Sequence, residues 1–198
     1  MTPPTHTDLE ALIHLARSLG ASEAQILASR DIPVEDHLAD LCREPQCRNF
    51  GQSPSCPPHV GGPEAFRKFQ MNFPQAIIVR LIVPSSVLFS NERRGIMGLL
   101  HEIVAGIEQE AVQGGFSRAK AFAGGSCKQI FCQDQEDCQV LSNGGKCRNP
   151  DQARPSLSGF GINVSQLMKV CGWPAEIKSK TESLTDPLSW VAGLVLLG

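Results

Sequence analysis

Residues 76–83 read AIIVRLIV and are followed by Pro84. A continuous apolar run rich in β-branched residues is the pattern of a strand buried on both faces. Upstream, PEAFRKFQ (63–70) reads as a short helix. Pro63 suits its first turn, and Glu64 complements the positive end of the helix. Downstream, Ser90 can cap a long helix reaching about Gln113, with Ile96, Met97, Leu100, Ile103, Val104, Ile107 and Ala111 on one stripe. Gly114-Gly115 stops it. RAKAFA (118–123) is then a short strand running into Gly124-Gly125-Ser126-Cys127.

The same pattern extends to both ends. Thr7 and Glu10 form a capping box, T-x-x-E, ahead of Leu9, Leu12, Ile13, Ala16 and Leu19 at helical spacing. Gly20 closes that helix, and AQILASR (24–30) reads as a short strand. A last helix is expected near Val164 to Cys171, stopped by Gly172 and Pro174. A final apolar strand follows at about Ser189 to Leu197. Alternating strands and helices predict one α/β domain over residues 1–198: a small sheet of about four strands with packed helices and two cysteine-rich metal-binding loops, at 42–62 and 127–160.

Composition excludes several functions. The 198 residues hold 18 Lys+Arg against 20 Asp+Glu, a net charge of -2. Without a basic excess, nucleic acid is not an expected partner. The segment MTPPTHTDLEALIHLARSLG has neither a basic start nor an unbroken apolar stretch, so it is not a secretory signal. The longest apolar run, Trp190 to Leu197 with Gly193 inside it, is far short of the ~20 residues of a spanning helix. A soluble, cytoplasmic protein without a membrane partner is expected. In a reducing compartment, eight cysteines argue for metal or redox chemistry rather than disulfides.

Seven of those eight fall in the two loops. Cys42, Cys47 and Cys56 are spaced C-x4-C-x8-C and run into Pro57-Pro58. Cys127, Cys132, Cys138 and Cys147 are spaced C-x4-C-x5-C-x8-C and run into Arg148-Asn149-Pro150. No C-x2-C knuckle of a structural zinc site occurs, and no C-x-x-C redox or haem motif. Iron–sulfur clusters need thiolates, accept varied spacings and often have a proline after a ligand. The second group can supply all four thiolates of one [4Fe–4S] cluster. The first supplies three, leaving one iron for His59 or for an exchangeable small molecule.

The first group also sits in a locally basic stretch. Residues 1–41 carry seven acids and two bases, whereas residues 42–70 carry four bases and two acids. Gly124, Gly125, Arg148 and Arg154 flank the second group as candidate cofactor contacts. Glycines let backbone N–H groups approach sulfides, and arginines can offset cluster charge. Cys171 shares a helical face with Val164, Leu167 and Met168 and reads as a core thiol. Of the catalytic motifs, H-E-x-x-H fails because His101-Glu102 is followed by Ile103, Val104 and Ala105. No P-loop, dinucleotide fingerprint or nucleophile elbow occurs.

The elements CREPQCRNFGQSPSCPP (42–58), GGSCKQIFC (124–132), CRNPDQARPSLSGFGINV (147–164) and the closing GLVLL resemble a family of predicted metal-binding proteins. That family is a domain of unknown function frequent in anaerobic microbes. The resemblance implies a metal-binding, iron–sulfur, intracellular protein and no particular reaction. Asn163 stands where the family pattern leads us to expect an acidic residue, and Asn caps a helix equally well. The expectation is therefore an iron–sulfur protein for electron transfer or redox sensing, with a redox protein as partner. The rivals are a zinc-stabilised interaction module and a catalytic or delivery role at the three-cysteine group. Metal is expected to be the main agent ordering residues 127–160, which lack a periodic apolar face.

Overall fold

The computed structural model describes residues 6–45, 47–176 and 186–198. Its sheet has four strands: β1 (Glu23–Ala28), β2 (Gln75–Pro84), β3 (Ala119–Phe122) and β4 (Leu188–Leu197). Their order is β1-β2-β4-β3, and every neighbouring pair is antiparallel. The AIIVRLIV run is thus a central strand, as its unbroken apolar character requires. Its one charge, Arg80, lies opposite Glu23 on β1 and is ion-paired to it. Arg80 also donates to the Pro174 carbonyl and lies over the Trp173 ring. A buried guanidinium is tolerable only with such partners.

Helices cover both faces. On one face, α1 (His6–Ser18) and α5 (Arg93–Gln113) bury Leu12, Leu100, Ile103 and Ile107 against Ile77, Val79 and Val195. Gly193 lets α5 lie close to β4, since a Cβ there would stand 2.5 Å from Val104 Cγ1. On the other face, α3 (Gly62–Asn72) and α8 (Val164–Val170) pack on Ile78, Phe122, Leu194 and Leu196. There Phe66, Phe122 and Phe160 meet edge-on or tilted, with centroids 5.1–6.1 Å apart. Each fully buried side chain of this size is worth ~1.5–3 kcal/mol. α5 and the sheet therefore form a firm floor on which long loops can be hung.

The sequence reading needs local correction. β1 ends at Ala28, and a single 3-10 turn, Ser29–Asp31, takes up the rest of AQILASR. Ser90 does not cap α5. A short α4 (Ser85–Leu88) comes first, and the Ser90 hydroxyl donates to the Val87 carbonyl and accepts from the Glu92 N–H. α5 starts at Arg93, behind Glu92. Asn163 does cap α8, accepting from the Gln166 N–H at 2.9 Å. The Thr7 side chain of the expected capping box lies outside the described part. Helices too short to show a period flank or fill the cysteine loops: α2 (Asp36–Asp40) just before the first, and α6 (Cys127–Phe131) and α7 (Gln139–Asn143) in the second.

Candidate metal centre

The second cysteine loop is fastened to the sheet at both ends. It leaves β3 through Gly124-Gly125 and enters α6. Gly125 has φ +82°, and a Cβ there would press on Met97 at 3.2 Å, so only glycine fits without strain. The loop returns at Ala123, whose N–H donates to Pro155 O while Leu157 N–H donates to Ala123 O. Leu157 and Phe160 then sink into the second core. Residues 127–160 are therefore not held by metal alone. The stretch around Cys132, Cys138 and Cys147 is the part without such an anchor.

His101 braces the two ends. It is fully buried on α5, in the stripe with Met97, Leu100 and Val104. Its Nδ1 accepts from the Arg154 N–H at 3.1 Å, so its Nε2 is the protonated nitrogen facing Gly124 O at 3.2 Å. Burial pushes its pKa down to about 4, with the Arg154 charge adding to the effect and the bonds to backbone opposing it. Arg154 turns to Glu108 (Nε–Oε2 2.6 Å) and to the Pro150 and Ala153 carbonyls. Its guanidinium is thereby spent on the frame.

The first loop is stitched to the second. Ser156 N–H donates to Ser55 O at 2.9 Å, and just outside the two loops Glu35 N–H donates to Gly161 O. The Asn49 amide donates to Gln129 Oε1. Within the loop, Cys47 N–H closes on Cys42 O and His59 N–H on Cys56 O.

These ties bring seven thiols around two neighbouring cavities. Cys42, Cys47 and Cys56 line one of about 290 Å³. Cys127, Cys132, Cys138 and Cys147 line another of about 410 Å³. Cys56 and Cys127 are buried, whereas Cys47 is exposed at the mouth of the three-thiol cavity. His59 is exposed and is not part of that cavity's lining. Cys171 lies in the second core near Leu167 and Met168, its thiol pushed up to about 11 by burial and partly offset by Arg80. Among the described residues, no three His, Cys, Asp or Glu side chains are arranged to hold a metal ion as they stand.

The two cavities share a wall made of two Ser-Cys pairs. Cys56 faces the three-thiol cavity, while Ser55 before it lines the other. Cys127 faces the four-thiol cavity, while Ser126 before it lines the three-thiol one. Burial raises the Cys127 pKa most; the Ser55 and Ser53 hydroxyls oppose this, and the neighbouring Cys56 and Cys147 add to it. Cys42 is likewise raised by burial, then by Cys47 and Cys56. Thiolates gathered this closely repel one another, and a bound cation removes that penalty.

Further donors point the same way. Asn149 donates from its side chain to Cys132 Sγ at 3.3 Å and from its backbone to Cys147 Sγ at 3.4 Å. Ser53 and Ser126 are buried with hydroxyls that lack a well-formed hydrogen bond. Each lines one of the two cavities. A buried unpaired hydroxyl costs ~1–3 kcal/mol, and at Ser53 a thiolate or sulfide would accept its hydrogen bond. The residues present therefore fit a thiolate-held metal group. Gly125 and Arg148 line the cavities, whereas Gly124 offers its carbonyl to His101 and Arg154 pairs with Glu108.

A family model described as "Predicted metal-binding protein (DUF2284)" matches residues 25–197. The chain belongs to this family. The match spans both cavities and all eight cysteines. No curated protein and no solved structure matches the chain. Among the described residues no helix is long and apolar enough to cross a membrane.

Sequence reasoning singled out the seven thiols but missed Ser53, Ser55, Ser126, Asn149 and His101. The repeated Ser-Cys pair, at 55–56 and 126–127, was a signal open to reading. His101 was open to reading too, as the one polar residue in an otherwise apolar helical stripe.

Proposed function

We propose that this is a cytoplasmic iron–sulfur protein with an electron-transfer or redox-sensing role. The observation that carries the reading is that seven thiols line two neighbouring cavities, four at one and three at the other. A zinc ion draws its ligands onto one point. A cluster spreads its thiolates, because each binds a different iron.

In this reading Cys127, Cys132, Cys138 and Cys147 hold one [4Fe–4S] cluster, and Cys42, Cys47 and Cys56 hold three irons of another. Bound clusters supply reversible one-electron chemistry. The chain supplies thiolate ligands, hydrogen bonds from Asn149, Ser53 and Ser55, and a wall that keeps water from Cys56 and Cys127. Such hydrogen bonds and burial are the means by which a protein sets a cluster's potential. A redox protein partner would approach at Cys47, the exposed ligand.

Anaerobic purification tests the proposal. Brown protein with iron and acid-labile sulfide near stoichiometry for two clusters supports it. Colourless protein with stoichiometric zinc would overturn it in favour of a zinc-stabilised interaction module.

A further inference from the structure

A third cavity, of about 540 Å³, adjoins the three-thiol cavity. No cysteine lines it. Its lining includes Arg48, Arg93 and Arg94, with Asn91 and Gln129, and contains no acidic side chain. Arg48, Arg93, Gly125, Ser126 and Gln129 line both cavities, so the two spaces meet along one side. Among the described residues neither Arg48 nor Arg93 has an ion-pair partner. Arg94 is oriented by donating from Nε to Ile130 O at 2.7 Å, which leaves its terminal amino groups for other acceptors.

Two further features point to a ligand. The cavity lies at the start of α5, a helix of 21 residues whose positive end favours anions. Ser126, 3% exposed and with no hydrogen-bond partner for its hydroxyl, stands in the wall between this cavity and the thiols. Three guanidinium groups without a counter-charge in the lining, polar amides beside them and a buried donor together match an oxyanion. The volume is that of a small-molecule site.

We propose that this cavity binds a small oxyanion, carboxylate or phosphate, and holds it against the three-thiol centre. The contact with a metal rests on the function proposed above; the anion binding does not. Such a ligand would reach the three-thiol cavity from the side lined by Arg48, Arg93, Ser126 and Gln129. That would make the three-thiol centre the place where a small molecule meets the redox group.

Calorimetry on the anaerobically purified, metal-loaded protein at low salt provides the test, with citrate and inorganic phosphate as probes. Saturable binding of either is expected, weakened at least about tenfold in the Arg48→Gln/Arg93→Gln double variant. Arg17→Gln, a charge loss on exposed α1, should leave it unchanged. Preference for citrate assigns a carboxylate, and preference for phosphate a phosphoryl group. No saturable binding of either probe overturns the proposal, as does an equal loss in Arg17→Gln. Binding of acidic polyglutamate alone overturns it as well, in favour of a protein-docking face. Calorimetry reads anion binding whichever metal is present, so failure here is distinct from failure of the iron–sulfur reading.

Discussion

His101 makes a pH dependence that can be worked out from its surroundings. Its imidazole is buried, and its pKa falls from 6.5 to about 4. Well above pH 6.5 the histidine is neutral whether the chain is folded or not, and it adds no slope. Between 6.5 and 4 the unfolded chain takes up a proton that the folded chain refuses. The unfolded state then binds more protons, so stability falls as the pH falls. Each pKa unit is worth ~1.4 kcal/mol, so the whole window carries about 3 kcal/mol. Between pH 6.5 and about 5, the loss is ~2 kcal/mol. Urea unfolding of metal-free protein at about pH 7 and about pH 5 measures it, with His101→Gln as comparison. Glutamine keeps a donor and an acceptor but does not titrate. The variant should be less stable at neutral pH and should lack this ~2 kcal/mol of acid sensitivity. Identical pH dependence in the two proteins would refute the assignment of a neutral, buried brace.

Metal removal should release only part of the second loop. Hydrogen exchange should show residues 132–149 losing protection, while 153–162 and the sheet keep theirs, because Leu157 and Phe160 are anchored in the core. Equal protection with and without metal would contradict this. Iron counting on single variants tests the division of the thiols. Cys127→Ser, Cys132→Ser, Cys138→Ser or Cys147→Ser should damage one centre and spare the other; Cys42→Ser, Cys47→Ser or Cys56→Ser should do the reverse. Cys171→Ser should spare both and cost ~1–2 kcal/mol for a buried hydroxyl. Loss of all iron from a single substitution would mean one shared centre.

The elements that sequence made visible are those with enough length to show a period. AIIVRLIV and the closing strand declared themselves by unbroken apolar character, and α5 by its stripe. The pairing order was not visible, because β2 and β4 meet across a separation that no local pattern encodes. α2, α6 and α7 are five residues each, too short for a stripe, and none has a side-chain cap; α2 and α6 are placed by contacts with the rest of the fold. At the site, the thiols stood out by composition. The partners that shape it did not, since a serine or an asparagine is ordinary until its neighbours are known. Arg154 shows the converse. Beside a cysteine group it resembled a cluster contact, and only the fold reveals Glu108 as its partner.

The strand order has a consequence for synthesis. β4 lies between β2 and β3, yet it is made after both cysteine loops. While a ribosome is still upstream of Leu188, β3 has no neighbour and β2 has only β1. Ribosomes add ~5–20 residues per second, so a nascent chain carries all seven site thiols for seconds before their platform exists. During that interval the sulfurs are bare and open to oxidation or to stray metals. Metal loading of a finished chain, rather than of a growing one, follows from where a single strand falls in the order of translation.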